Sequence, residues 1–255
     1  MSRSVLVTGG TSGIGRAIAA LFAAEAHPAG TPAGASADAP AGPPQVYVTG
    51  RHQATVERTA KELGVHGIVC DATDPAQVAA LAVQLPTVDV LVNAAGGLPG
   101  DAPGGLAPLE ALLAQWTTSL AQNLLTAVLT TTALRDALTP TAAVISIGSI
   151  GAERRGGSYG AAKAALAAWN AALSADLGPN GVTCNVISAG YTAGTNFFGG
   201  TLPAARHEAL VAETHTQRPG TADDIAATAY FLASPGARHI TGQTIHVNGG
   251  AYTTR

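Results

Sequence analysis

Val5-Leu6-Val7-Thr8-Gly9-Gly10-Thr11-Ser12-Gly13-Ile14-Gly15 decides how the rest of the chain is read. Three apolar residues of strand character run into a glycine-rich turn, and a helical pattern follows from about Ile14 to Glu25. Strand, glycine turn and helix in that order make a seat for the pyrophosphate of a dinucleotide. Backbone free of side chains can approach the anion, and the helix N-terminus supplies unpaired N–H groups and the positive end of its dipole. A glycine cluster in isolation is a turn; its place between strand and helix gives it the second meaning. The expected contacts are Gly9, Thr11, Ser12, Gly13, Ile14 and Gly15.

Outward from this stretch, strands and helices alternate. Strand patterns fall at Val46–Thr49, Gly67–Cys70, Val88–Val92, Ala143–Ser149 and Val182–Ile187, and a last one lies within Ile240–Gly250. Between them lie helical patterns at 55–63, 75–84, 109–134 and 159–177, and Thr221-Ala222-Asp223-Asp224 opens a capped helix. Val88-Asp89-Val90-Leu91-Val92 is nearly continuous in apolar residues, as in a parallel sheet covered on both faces. The expected fold is α/β, a single doubly wound parallel sheet over residues 1–255. Residues 26–44, rich in Ala, Pro and Gly, read as a flexible insertion on the sheet edge opposite the nucleotide crevice.

Composition narrows the function classes. Hydrophobic residues make up 47% of the 255 and charged ones only 11%, yet Gly, Thr or Pro interrupts every apolar run before membrane-spanning length, so the surplus reads as burial between subunits. A net charge of -3 gives no basic field for nucleic acid or an anionic membrane. Only three apolar residues separate Ser4 from the glycine turn, which is too short for a secretory signal. Cys70 and Cys184 sit in or at the end of apolar runs and read as buried thiols, in keeping with the cytoplasm.

Chemistry is concentrated in Tyr159-Gly160-Ala161-Ala162-Lys163. Tyrosine and lysine at i and i+4 share a helical face, so an ammonium can stand beside a phenol. Bringing a phenol from about 10 to neutrality takes roughly 4 kcal/mol. One cation supplies part of that, and an oxidised nicotinamide would be a second. By itself the pair also fits a solvated helix face. The same helix is apolar nearly all round, which points to a partner subunit.

The loop Thr8-Gly9 to Gly13-Ile14-Gly15, the segment Asn93-Ala94-Ala95-Gly96, Ser149 at a strand end and the Tyr159/Lys163 spacing together resemble the short-chain dehydrogenase/reductase family, its 3-oxoacyl reductases in particular. The resemblance covers the chain except 26–44. It implies that Tyr159 is a general acid/base, that Lys163 lowers the phenol's pKa and holds the nicotinamide ribose, and that Ser149 positions a carbonyl. Asn123 would kink its helix and hold a water of a proton relay. Mid-helix asparagines otherwise point to solvent or bond locally. Ser146 and Ser158 rival Ser149, and the family pattern selects Ser149.

For the cofactor, the resemblance adds Asp71 and Ala72 at the adenine, Asn93, Ala94 and Gly96 along the central sheet, and Gly190, Thr192 and Thr195 near the carboxamide. Asp71 serves equally as a turn carboxylate. Gly50 stands where an acidic residue would bind a ribose 2'-hydroxyl, and Arg51 follows it, so NADP(H) is expected over NAD(H). No metal is expected. The implied activity is NADP(H)-dependent reduction of a ketone to a secondary alcohol, or its reverse, by a homo-oligomer, tetramer or dimer. A non-catalytic NADP-binding redox sensor and a non-redox enzyme on the same fold are the alternatives.

Three features depart from the pattern or lie outside it. The segment from Ser149 to Tyr159 is a few residues shorter than in most members of the family. Tyr191, Phe197, Phe198 and Leu202 make the last cleft loop apolar enough to cover a hydrophobic ketone, or merely to pack a lid on the sheet. Glu153-Arg154-Arg155 either meets a polar or carrier-bound substrate or forms a solvated face.

Overall fold

A computed structural model describes residues 2–24, 42–100, 104–154, 156–200 and 202–254. Seven strands, β1 (Ser4–Thr8), β2 (Gln45–Gly50), β3 (His66–Val69), β4 (Val88–Asn93), β5 (Leu138–Ser149), β6 (Thr183–Ala189) and β7 (Thr244–Val247), form one sheet in the order β3-β2-β1-β4-β5-β6-β7. Every pairing is parallel. The strand order reverses between β1 and β4, which opens a crevice at their carboxyl ends, the place where such sheets take ligands.

Alternation within each strand builds two cores. Val5 and Val7 face one side with Ile18, Phe22, Val90, Val92, Ile145, Ile187, Ile225 and Leu232, under α1 (Gly13–Ala24) and α8 (Ala222–Leu232). Leu6 faces the other side with Val78, Leu81, Leu91, Leu134, Val144, Leu177 and Cys184, under α3 (Pro75–Gln84), α5 (Thr126–Ala133) and α6 (Gly157–Leu177). Each fully buried Leu, Ile or Phe contributes roughly 1.5–3 kcal/mol, so both faces of the central strands hold the sheet together. Cys70 and Cys184 are free and buried, as expected.

Capping follows the sequence. Asp74 accepts from the Ala76 and Gln77 N–H groups ahead of α3, and Thr221 and Asp224 cap α8 reciprocally while Arg218 grips Asp224 with two nitrogens. The remaining helices are α2 (Gln53–Leu63), α4 (Pro108–Leu120) and α7 (Ala204–Ala212).

Several boundaries differ from the sequence reading. The helical run 109–134 is three pieces, with a π-helical turn at Ala121–Leu125 between α4 and α5. β5 starts at Leu138, five residues early, because Val88 pairs with Leu138 across an irregular register. Strand three slides to His66–Val69, and the Cys70 N–H still reaches the Gly50 carbonyl. Of the expected insertion 26–44, residues 26–41 lie outside the described residues, and Gly42-Pro43-Pro44 lead into β2. Among the described residues no helix is long and apolar enough to cross a membrane, and no cluster of His, Cys, Asp and Glu could hold a metal ion.

Candidate active site

A cleft of about 990 Å³ runs along the carboxyl ends of β1, β2, β4, β5 and β6. Its nucleotide half begins where β1 ends. The Thr8 hydroxyl accepts from the Ala94 and Ala95 N–H groups at 3.2 Å, which ties the ends of β1 and β4 together across the reversal point. Gly9 turns with φ 64°, and a Cβ there would lie 2.8 Å from the Ala95 Cα. Thr11, Ser12, Gly13, Ile14 and Gly15 all border the cleft beside the start of α1. This bare-backbone cradle at a helix N-terminus fits a dinucleotide pyrophosphate.

At the end of β2, a Cβ on Gly50 would lie 2.8 Å from the Thr11 methyl, so packing against the glycine turn favours glycine where an acidic side chain was the alternative. Arg51, exposed, and His52 follow on the cleft wall. Asp71 and Ala72 line the same end; the Asp71 carboxylate is engaged by the Thr73 N–H and hydroxyl at 2.9 and 2.7 Å, so it serves a turn while bordering the cleft.

Ala94 and Gly96 border the cleft, but Asn93 does not: it is buried, and its amide donates to the Thr131 hydroxyl at 3.0 Å and the Ser146 hydroxyl at 3.5 Å. Its cofactor contact is therefore corrected, while the structural, sheet-steadying role that the resemblance also gives it fits this buried link between β4, α5 and β5. Its side chain points to the α5 face of the sheet because Val92 faces α1 and α8 on the other.

Asn123 sits in the π-helical turn, where the widened backbone brings its side chain to the loop after β4. Its oxygen accepts from the Gly97 N–H at 3.0 Å, and its nitrogen donates to the Gly97 carbonyl at 2.9 Å and the Ser119 carbonyl at 3.1 Å. It is buried behind the cleft wall. A Cβ on Gly96 would lie 2.7 Å from the Asn123 oxygen and 3.5 Å from the Lys163 nitrogen, which places these three residues together.

Ser149, Tyr159 and Lys163 meet at the other half of the cleft. Lys163 is buried and donates to the Ile147 carbonyl at 2.8 Å, with its nitrogen 5.9 Å from the Tyr159 ring centre. Burial pulls its pKa down to about 8. Tyr159 is pushed up to about 12, first by burial, while a hydrogen bond with Ser149 acts in the opposite direction. The sequence reading gives Lys163 only part of the lowering and an oxidised nicotinamide the rest; in this pocket desolvation of the ring sets the direction. Ser146 and Ser158 are buried off the cleft, so only Ser149 of the three serines borders it.

The far wall comes from the segment after β6. Gly190, Thr192 and Thr195 line it, with the Thr195 hydroxyl donating to the Thr192 carbonyl at 3.2 Å. Phe197 meets Tyr159 edge-on at 5.4 Å between ring centres, and Phe198 meets Phe197 at 5.0 Å. The Tyr191 hydroxyl pairs with His207 Nδ1 at 2.7 Å, tying this segment to α7. Leu202 is not on the wall, whereas Leu210 of α7, which the sequence reading missed, is. An apolar residue on an amphipathic helix carries no sign of which cavity it faces.

Arg154 resolves one open choice. Its guanidinium bonds the Ala251 carbonyl at 2.9 Å and Glu213 at 2.8 Å, so it staples the loop after β5 to the end of α7 and to the C-terminal segment. Arg155 lies outside the described residues.

Comparison with known proteins agrees with this geometry. A family model described as enoyl-(acyl carrier protein) reductase matches residues 33–252. A Mycobacterium tuberculosis protein named as an oxidoreductase is 33% identical over 250 residues, covering 97% of each chain. The 3-oxoacyl-[acyl-carrier-protein] reductase of Escherichia coli is 30% identical over 258 residues, covering 97% of this chain and 96% of that one. The crystal structure of a short chain dehydrogenase from Burkholderia cenocepacia in complex with NADP superposes with a TM-score of 0.77 at 30% identity, over 98% of this chain and 97% of that one.

Proposed function

The chain belongs to the short-chain dehydrogenase/reductase family, and from that premise we propose that it is an NADP(H)-dependent ketoreductase in which Tyr159 passes a proton to or from the substrate oxygen. The observation that carries this reading is the meeting of Ser149, Tyr159 and Lys163 in one cleft with the glycine cradle. Gly9 to Gly15 hold the pyrophosphate, and Lys163, Gly190, Thr192 and Thr195 border the nicotinamide end. Arg51 beside Gly50 favours a 2'-phosphate, in keeping with the NADP in the related crystal structure.

When bound, the cofactor supplies or takes up the hydride at the carbonyl carbon. The chain supplies the rest. Ser149 donates to the carbonyl oxygen and holds it beside the phenol. With its pKa raised to about 12, Tyr159 keeps its proton at neutral pH until alkoxide charge builds on that oxygen, then gives it up. The Lys163 ammonium steadies the developing phenolate, and Asn123 holds the Gly96–Gly97 loop against it.

The charged side chains on the described wall are Arg51 and Asp71, with His52 between them at the nucleotide end, and Lys163 near Tyr159; Phe197, Phe198 and Tyr191 complete the substrate end. That lining supports an uncharged, hydrophobic ketone. On the outside, Leu109, Leu112, Leu113 and Trp116 form an i, i+3, i+4, i+7 stripe on α4, with Leu109 80% exposed, and Ala164, Ala168, Ala171 and Ala172 of α6 are exposed as well. The stripe supports a homo-oligomer, dimer or tetramer.

The test is an NADPH oxidation screen across aryl, alkyl and thioester-linked ketones, with enoyl thioesters alongside. Reduction of at least one ketone class is expected. Reduction of enoyl carbon–carbon bonds with every ketone untouched would overturn the reading.

A further inference from the structure

The loop between Ser149 and Tyr159 is short, and the way it closes has a chemical consequence. β5 ends at Ser149, a single 3-10 turn covers Ile150–Ala152, and α6 starts at Gly157. To close in that length, the Gly151 peptide lies directly on the first turn of α6. A Cβ built on Gly160 would collide with the Gly151 carbonyl oxygen, and one built on Gly156 would collide with the same oxygen from the other side. The Gly160 N–H donates to the Gly156 carbonyl at 2.6 Å, which holds the seat closed.

Across the Gly151 Cα, the preceding peptide faces the chemistry. The Gly151 N–H donates to the Ser149 hydroxyl oxygen at 3.1 Å, and a Cβ on Gly151 would lie 3.4 Å from the Tyr159 ring and 3.3 Å from the Ser149 oxygen. A serine hydroxyl has one proton and two lone pairs, and its rotation is otherwise free. With one lone pair filled by Gly151, the hydroxyl keeps its proton and its second lone pair for the phenol and the substrate oxygen.

We propose that Gly160 is a positioning residue for catalysis: its bare backbone seats the Gly151 carbonyl, and the Gly151 N–H thereby fixes the Ser149 hydroxyl beside Tyr159. This rests on the ketoreductase reading and deepens it. The role follows from the short loop, since a longer one could cross the helix without touching position 160.

Gly160→Ala is an informative variant because alanine is the better helix former, so helix propensity alone predicts a gain in stability. The expected result is NADPH affinity within twofold of wild type by fluorescence titration, and kcat for ketone reduction lower by about a hundredfold, as for a misplacement of about 1 Å. In alcohol oxidation the acid limb of the pH profile should move to higher pH, as in Ser149→Ala, because the Ser149 hydrogen bond favours the phenolate. The double variant Gly160→Ala/Ser149→Ala should lose no more than Ser149→Ala alone.

Amide exchange reads the link without touching a glycine: the Gly151 N–H should exchange faster in Ser149→Ala than in wild type. Wild-type kcat and pH profile in Gly160→Ala, additive losses in the double variant, or unchanged Gly151 exchange would each overturn the inference. Wild-type protein reducing no ketone would instead end the ketoreductase reading on which it rests.

Discussion

Lys163 and Tyr159, one helical turn apart on α6, are held by different partners: the ammonium is bonded to the Ile147 carbonyl at 2.8 Å and stands 5.9 Å from the centre of the phenol ring, while the phenol is hydrogen-bonded with Ser149. Burial acts on both in the direction of neutrality, raising the phenol to about 12 and lowering the ammonium to about 8. The pair is a proton-holding acid beside a cation that is costly to keep.

Lys163 can be titrated directly, because the chain has only one other lysine, Lys61. In lysine-labelled protein, the NMR signal that survives Lys61→Arg is expected to titrate near pH 8. The sign for stability follows. From about pH 8 to 10.5 the unfolded chain keeps a proton the folded one has released, so this group's contribution to stability rises with pH across that window. Urea midpoints compared with Lys163→Met should show the difference; parallel curves would contradict it.

Removing the phenol hydroxyl should separate chemistry from binding. Tyr159→Phe is expected to lower kcat by about 10²- to 10⁴-fold, the usual worth of a positioned proton donor. NADPH affinity by fluorescence titration should stay within a few-fold. Undiminished ketone reduction by this variant would remove Tyr159 from the mechanism.

Arg51 carries the cofactor preference. Arg51→Ala should weaken NADPH by about tenfold or more, since hydrogen bonds to charged groups contribute about 1.5–3 kcal/mol, and should leave NADH nearly unchanged. The measurement is the ratio of kcat/KM for the two cofactors. An unchanged ratio would place the 2'-phosphate elsewhere.

Phe197 covers Tyr159 edge-on, so shortening it should show in the choice of substrate. Phe197→Ala is expected to raise KM for aryl ketones by about five- to tenfold, in line with an aromatic pair contributing about 0.5–1.5 kcal/mol, and to affect a small alkyl ketone less. Equal loss on both would assign Phe197 to lid packing.

The stripe on α4 tests assembly. Leu109→Glu/Leu113→Glu places two charges where exposed leucines now stand, and light scattering should show a smaller species at the same concentration. A variant of unchanged mass would exclude α4 from the interface. The folded subunit should survive, because both side chains lie outside the two cores.

What the sequence determined by itself was everything carried by local chemistry and period. The glycine turn between β1 and α1, the apolar runs of β4 and β6, the Thr221–Asp224 cap and the i, i+4 spacing of Tyr159 and Lys163 are properties of neighbours along the chain, and they specified a doubly wound sheet with a nucleotide cradle. What only the tertiary structure decided depended on residues distant in sequence sharing one space. Asn93 left the cleft because β5 and α5 offered its amide hydroxyl partners at Ser146 and Thr131. Asn123 came to Gly97 through a π-helical turn that no periodicity announces. Arg154 became a staple because Glu213 and Ala251, far along the chain, converge on it. The sign of the Tyr159 shift was likewise a tertiary result: spacing brings a cation near, but burial, which depends on everything packed around the ring, sets the larger effect.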